Sequence, residues 1–189
     1  MLFYSRRCYT LQMPNYRRAF VPGACWFFTH NLLDRRQAFL VDHVEALRSA
    51  FNDTQKKYPF EINAVVILPD HLHAVWSLPP DDADFSTRWR LIKSRFAKSL
   101  PKDERLSPVR EARGERGIWQ YRYWEHLIRS DTDYARHVEY CYINPVKHGL
   151  VRRVQDWPHS SFHRDVRRGL FPLGWAGEVE AKGQFGERK

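Results

Sequence analysis

The sequence predicts an α+β domain in which strands and helices alternate as β-α-β-β-α-β, followed by one further helix and an irregular tail. Three observations point there. Two short apolar runs, residues 61–68 (EINAVVIL) and 71–78 (HLHAVWSL), are separated only by Pro69-Asp70, as in a hairpin. Each side of that hairpin carries a segment of helical period. Outside those segments lie two aromatic, β-prone runs, residues 24–33 and 118–129.

The elements follow in order. Residues 1–22 are basic and aromatic without a period, broken by Pro14 and Pro22, and read as an arm. Residues 24–33 (ACWFFTHNLL) form the first strand. Asp34 is placed to cap a helix reaching Tyr58, with Phe39, Val44, Leu47 and Phe51 as its apolar stripe and Pro59 as its stop. After the hairpin, residues 79–84 are an acidic loop. Residues 86–100 form a basic helix whose apolar side is Phe85, Trp89, Ile92 and Phe96. Residues 101–117 are charged and punctuated by Pro and Gly, hence a loop. Residues 118–129 (IWQYRYWEHLIR) read as a fourth strand, and Ser130 or Asp131 caps a helix through Tyr140. Pro145 disfavours the α region at Asn144 and predicts that this helix ends there. The order matches a ferredoxin-like βαββαβ unit, a four-stranded antiparallel sheet with helices on one face and the other face free to hold a site. The domain spans 23–149, with the arm at 1–22 before it and a tail at 150–189 laid over it.

Composition bounds the function. A chain of 189 residues builds one core, and no run approaches the roughly 18 apolar residues of a membrane span. The N-terminal stretch has no apolar signal region, and Cys8, Cys25 and Cys141 are an odd number with no CxxC. Both features indicate a soluble protein of a reducing cytoplasm. A net charge of +9 attracts polyanions. Arg88, Arg90, Lys93, Arg95, Lys98, Lys102 and Arg105 crowd the middle of the chain, which favours nucleic acid as partner over a merely solvated basic surface.

Two constellations carry chemistry. In a strand, His71 and His73 share one face while Leu72 turns to the core, and paired imidazoles form a metal pincer. Nine histidines give about 0.4 His-x-His pairs by chance, so the pair alone is weak. The second is Tyr140-Cys141-Tyr142-Ile143-Asn144-Pro145. Tyr140 and Asn144 lie one turn apart on one helix face, so an amide oxygen from Asn144 could join the imidazoles on a cation, with Tyr140 beside a bound phosphate. Core aromatics with satisfied hydroxyls remain the plain alternative for Tyr140 and Tyr142. The N,N,O donor set accepts zinc as well as harder cations. Trp119, Tyr121, Tyr123 and Trp124, interleaved with Arg122, could stack bases beside a phosphate contact, and Lys147 joins Arg122 and the helix arginines as a phosphate contact.

Three separated stretches in order, FEINAVVILPDHLHAVWSLP, IWQYRYWEHLIRSDTDYARHVEYCYINPVKHGLV and DWPHSSFHRDVRRGLFPLGWAG, closely resemble the REP-associated tyrosine transposases of the HUH superfamily of single-strand nucleases. The match runs from about Tyr16 to Gly177. The resemblance implies that His71 and His73 are the HUH metal ligands, Asn144 the third ligand and Tyr140 the catalytic tyrosine. It implies Mg²⁺ or Mn²⁺ as cofactor and single-stranded DNA folded as hairpins, from palindromic repeats, as partner. The reaction would be transposase-like cutting and joining through a covalent 5′-phosphotyrosine, by a monomer with one compact site, in a bacterial cytoplasm close to the nucleoid. Arg17 and Arg18 fall in an arm that, in similar proteins, helps read a short single-stranded tag beside the hairpin. Two other classes stay in view: a catalytically silent single-strand-binding module of the same fold, which would not need His71, His73, Tyr140 and Asn144 together, and a zinc-stabilised structural protein, which would want a fourth ligand.

Overall fold

The computed structural model describes residues 20–102, 112, 114, 116–177 and 185–186. Strands β2 (Glu61–Ile67) and β3 (His71–Ser77) form the expected hairpin, closed by a bond from the Leu68 N–H to the His71 carbonyl at 2.9 Å. Strand β1 (Cys25–Asn31) pairs antiparallel with β3, and β4 (Trp124–Leu127) pairs antiparallel with β1, giving the sheet order β2-β3-β1-β4. The helices between strands are α1 (Phe39–Asp42), α2 (Val44–Lys57) and α3 (Phe85–Ser99). Helix α4 (Asp131–Lys147) follows β4, and the tail holds a 3₁₀ turn (Val154–Asp156) and α5 (Phe162–Arg167). This is the ferredoxin-like order read from the sequence. Among the described residues no helix is long and apolar enough to cross a membrane.

Because strand side chains alternate, the sheet has two cores. Trp26, Phe28, Leu72, Ala74 and Trp76 meet Leu47, Phe51, Trp89 and Phe96 of α2 and α3, with the Trp76 and Trp89 rings stacked at 4.2 Å. On the other face Phe27, Val66 and Val75 pack against Val138, Cys141 and Ile143 of α4 and against Val154, Phe162 and Phe185 of the tail. The second face is therefore covered, where the sequence reading left it free. That cover turns the site into a seam between sheet and helix.

Four local expectations are corrected. The helix expected from Asp34 begins only at Phe39, because the Asp34 carboxylate accepts from the Arg36 N–H and guanidinium and so closes a turn. The backbone breaks again at His43, between α1 and α2. The fourth strand is reduced to four residues plus one bridge, Leu32 to Trp119. Continuing the Thr29–Trp124 register would set Leu32 opposite Tyr121, so two residues are looped out. Helix α4 runs through Pro145 to Lys147. A Schellman cap closes it, in which Gly149 (φ +67°) donates to the Val146 carbonyl and Leu150 to the Pro145 carbonyl, both at 2.9 Å. The tail is more regular than expected and covers the outer edge of β2: Ser160 bridges Val66, and Trp157 Nε1 donates to the Ile67 carbonyl at 3.0 Å.

Arg88, read as a DNA contact, is 1% exposed. It lies on the apolar stripe of α3, in step with Phe85, Trp89, Ile92 and Phe96, and its guanidinium is spent on Asp82 (2.6 Å) and the carbonyls of Pro59 (2.7 Å) and Asp84 (2.8 Å). It fastens the acidic loop and the α2–β2 turn to the helix. Arg88→Ala should therefore lower the free energy of unfolding in urea by roughly 3 kcal/mol, and leave the salt dependence of DNA affinity as in the parent protein.

Candidate active site

Alternation along β3 puts His71 and His73 on the face that α4 covers, with ring centroids 5.1 Å apart and planes nearly perpendicular at 85°. Their register partners on β1 are Asn31 and Thr29. Each imidazole is oriented from behind. The Thr29 hydroxyl donates to the Phe185 carbonyl at 2.6 Å and accepts from His73 Nδ1 at 2.8 Å, so the proton sits on Nδ1 and the Nε2 lone pair faces away from Thr29. His71 Nδ1 donates to Asp70 Oδ1 at 2.7 Å. The nearby Arg35 Nη2, 3.3 Å from that nitrogen, is a packing neighbour, since a guanidinium can only donate. Burial works to raise the Asp70 carboxyl, but hydrogen bonds from His71 and Arg35 outweigh it and hold the group at about 2. A carboxylate behind one imidazole and a hydroxyl behind the other is the usual backing of metal-ligating histidines.

Helix α4 brings the second constellation to the same seam. Tyr140 is 1% exposed, its ring edge-on to His73 with centroids 5.2 Å apart, and Asn144, fully buried, follows one turn on. Lys147, a further turn along, donates from Nζ to Tyr140 Oη at 2.8 Å. The lysine that the sequence reading gave to a phosphate thus reaches the phenol. Phe185 of the tail stacks on the Tyr140 ring at 3.6 Å, nearly parallel. Tyr142 points elsewhere. Its hydroxyl is bound to Asp165 and Ser161, and burial, with that carboxylate, pushes it well above the ordinary phenol range. Cys141 is buried and its thiol raised by burial, consistent with a small hydrophobe.

Among the described residues, two sets of side chains could hold a cation. His71 and His73 offer Nε2 atoms, and Asn144 adds a neutral oxygen; two imidazoles backed by fixed partners with one amide suit a divalent ion. The other set, His126, Asp133 and His137, was not anticipated as a ligand group. Its donor atoms lie within 4.8 Å of one another. There Asp133 binds His126 Nε2 at 2.9 Å and His137 Nδ1 at 3.1 Å, while Ser130 accepts from the Asp133 N–H at 3.1 Å. Those bonds tie β4 to the first turns of α4, and burial pulls the His137 imidazole below its usual value. His126 and His137 are eleven residues apart in sequence, so no local spacing announces the group.

The remaining candidates scatter. Arg90, Arg122 and Trp124 are exposed, whereas Lys93 binds the Gln120 carbonyl at 2.9 Å and Arg95 binds Thr54 Oγ1 at 2.7 Å. Arg17 and Arg18 lie outside the described residues. Arg122 and Trp124 line an open cleft with Asn31, Arg35, Gln120 and Tyr123. Thr29, Arg35 and Asp70 were missed; the signal for Asp70 was its place immediately before the His pair, in the turn.

With this geometry in place, the comparisons define the class. The sequence profile of the IS200-like transposases matches residues 30–140, more than half of the chain. The REP-associated tyrosine transposase of Escherichia coli (strain K12) is 50% identical over 167 residues, covering 88% of this chain and 93% of that protein. A homologue from Haemophilus influenzae is 47% identical over 171 residues, covering 90% and 97%. The solved structure of a REP-associated tyrosine transposase bound to a REP hairpin superposes with a TM-score of 0.81 at 49% identity, covering 94% of this chain and 99% of that one. The chain belongs to the REP-associated tyrosine transposase family.

If Asp70 orients His71 for a metal, Asp70→Asn should weaken Mn²⁺ binding about 10- to 100-fold, read by calorimetric titration, with the fold unchanged by circular dichroism.

Proposed function

We propose that the chain is a site-specific endonuclease and strand transferase that cuts single-stranded DNA beside hairpin repeats, by way of a 5′-phosphotyrosine on Tyr140. The observation that carries this reading is the meeting of Tyr140 Oη, bound by the Lys147 ammonium, with the oriented His71–His73 pair on one buried seam. The relatives' names and the hairpin in the related complex support the substrate class.

His71, His73 and Asn144 would hold the cofactor, Mg²⁺ or Mn²⁺. Bound there, such a cation would neutralise the phosphate charge and orient the phosphorus. The chain's own residues do the rest. Tyr140 Oη bonds to phosphorus as the bond from phosphorus to the 3′-oxygen breaks, the phenolic proton leaves, and a free 3′-hydroxyl is released. Lys147 sits where negative charge develops on the phenolic oxygen. In the reverse direction a 3′-hydroxyl attacks the phosphotyrosine and Tyr140 departs, so strands are joined without ATP. Thr29 and Asp70 keep the imidazoles in one tautomer throughout. Exposed Arg90 and Arg122, with Trp124, supply the phosphate and base contacts on the described surface, and the protein works as a cytoplasmic monomer.

Wild-type protein incubated with a labelled hairpin oligonucleotide and Mn²⁺ should give a covalent adduct on a denaturing gel. Tyr140→Phe should abolish it while leaving affinity within about twofold, and an adduct from that variant would move the nucleophile elsewhere. His71→Ala and His73→Ala should each remove cutting that Mn²⁺ or Mg²⁺ restores to the parent after chelation; Asn144→Ala should be milder, as one neutral ligand of three. Undiminished cutting in excess chelator would end the metal reading.

Affinity for the same oligonucleotide should drop steeply between about 50 and 200 mM salt, because each neutralised phosphate releases counterions. A flat dependence would remove the basic surface from the binding site.

A further inference from the structure

A third imidazole stands at the seam, and the mechanism above gives it no task. His148 occupies the C-cap of α4, and its backbone N–H donates to the Asn144 carbonyl at 3.0 Å. Tyr140, Asn144 and His148 therefore follow one another at i, i+4 and i+8 along one side of the helix. Helical side chains lean toward the N-terminus of their helix, so the His148 ring is directed back over the Asn144 turn. Gly149 (φ +67°) and the Schellman bonds end the helix immediately after this residue and fix its place. The end of α4 meets the start of β3 there. The His148 ring contacts His71, the first residue of that strand, with centroids 5.0 Å apart and planes crossed at 72°.

His71 thus has two imidazole neighbours in nearly the same relation, His148 on the helix and His73 at 5.1 Å and 85° on its own strand. Two imidazoles that share one ion through metal–nitrogen bonds of about 2.1 Å, at angles between octahedral and tetrahedral, have ring centres about 4.6 to 5.3 Å apart. Both separations fall in that range, and in both the ring planes are steeply crossed, which lets in-plane lone pairs converge. We infer that His148 is a fourth ligand of the cation site, beside His71, His73 and Asn144. The donor set becomes three imidazole nitrogens and one amide oxygen, all neutral, so the added ligand strengthens the hold on the ion without cancelling charge that a phosphate needs. An octahedral ion held by four such groups keeps two positions for a phosphate oxygen and water. His71, His73 and Asn144 are buried, whereas His148 is exposed and so supplies its nitrogen from the side that water reaches. The inference rests on the metal-dependent reading proposed above and adds a ligand to it.

The test reads metal binding rather than cutting. Mn²⁺ is titrated calorimetrically into the full chain without DNA, for the parent and for the His71→Ala, His148→Ala and His148→Gln variants. His148→Ala should weaken Mn²⁺ binding about tenfold or more, and His148→Gln, which offers an amide oxygen, should recover part of the loss. With Co²⁺ as the probe, the visible absorption bands of the bound ion should shift and change intensity in His148→Ala, because one nitrogen donor is gone. A residue that only capped the helix or touched phosphate would leave those bands where they are. In excess chelator, the affinity of His148→Ala for the hairpin oligonucleotide should equal that of the parent. Thermal melts check that the variants are folded, and because only an exposed side chain changes, the backbone cap stays in place. If His71→Ala loses the metal while His148→Ala keeps parental Mn²⁺ affinity and Co²⁺ bands, His148 is no ligand and the site is left with three. DNA affinity lost in chelator with metal binding intact would make His148 a phosphate contact and overturn the inference as well. Parental Mn²⁺ affinity in His71→Ala would overturn the metal reading itself, and the fourth ligand with it.

Discussion

Helix α4 lies against the second face of the sheet through Val138, Cys141 and Ile143 on Phe27, Val66 and Val75, and the chemistry depends on that contact. Tyr140 and the paired imidazoles are far apart in sequence, on different elements, and neither loop nor disulfide among the described residues draws them together. Apolar burial presses helix to sheet, and a packed interface fixes side chains in a way that a loop does not. The helix has one face for the job. Tyr140 and Asn144 at i and i+4 point into the seam, and Lys147 returns to the same side a turn later. The Schellman cap matters because it lets the helix pass Pro145 and so carry Lys147 back over Tyr140.

Charge at the seam is arranged in layers. The groups that would meet a phosphate are neutral or positive: two imidazoles, an amide and an ammonium. The carboxylate, Asp70, stands behind His71 and is held ionised by His71 and Arg35. A carboxylate in direct reach of a phosphodiester would oppose the approach of a second anion, whereas one imidazole away it orients the ring and adds to its basicity. The same arrangement recurs at the far end of α4, where Asp133 gathers His126 and His137 and also accepts from the Arg129 N–H just ahead of the helix. One acidic residue there links the outer strand to the helix that bears Tyr140.

Much of the fold was legible because its signals are local. The hairpin needed only Pro69-Asp70 between two alternating runs, and that alternation placed Leu72 in one core and the histidines at the other. Ser130 was legible as a cap by chemistry alone, and its hydroxyl accepts from the Asp133 N–H. The failures are cases where a tertiary partner overrode a local rule. Asp34 had Arg36 two residues away to bind instead of a helix end. Arg88 looked like surface by residue type, although its place on the stripe with Trp89 and Ile92 marked it as buried; Asp82 and the Pro59 carbonyl, which make that burial tolerable, have no signature. Phe185, which closes the second core and stacks on Tyr140, sits in a tail without periodicity.

The fourth strand shows the same limit and connects it to function. Twelve residues of aromatic, β-prone sequence read as one edge strand, since propensity cannot see a register. The structure pairs only the two ends of that run with β1 and lets Tyr121 and Arg122 leave the sheet, with Tyr121 84% exposed. An uninterrupted strand would have bonded along the whole of β1 and closed the edge beside Asn31. The interruption instead loops Tyr121 and Arg122 out of the ladder, while the Gln120 N–H still donates to the Asn31 carbonyl at 3.0 Å. Bulges placed this way re-aim side chains at the cost of ladder hydrogen bonds. The cost is limited here because the lost pairing lies at the rim, where water can satisfy the freed groups. Departure from the local rule and proximity to the candidate site thus coincide, as expected where a fold gives up regularity to make room for a ligand.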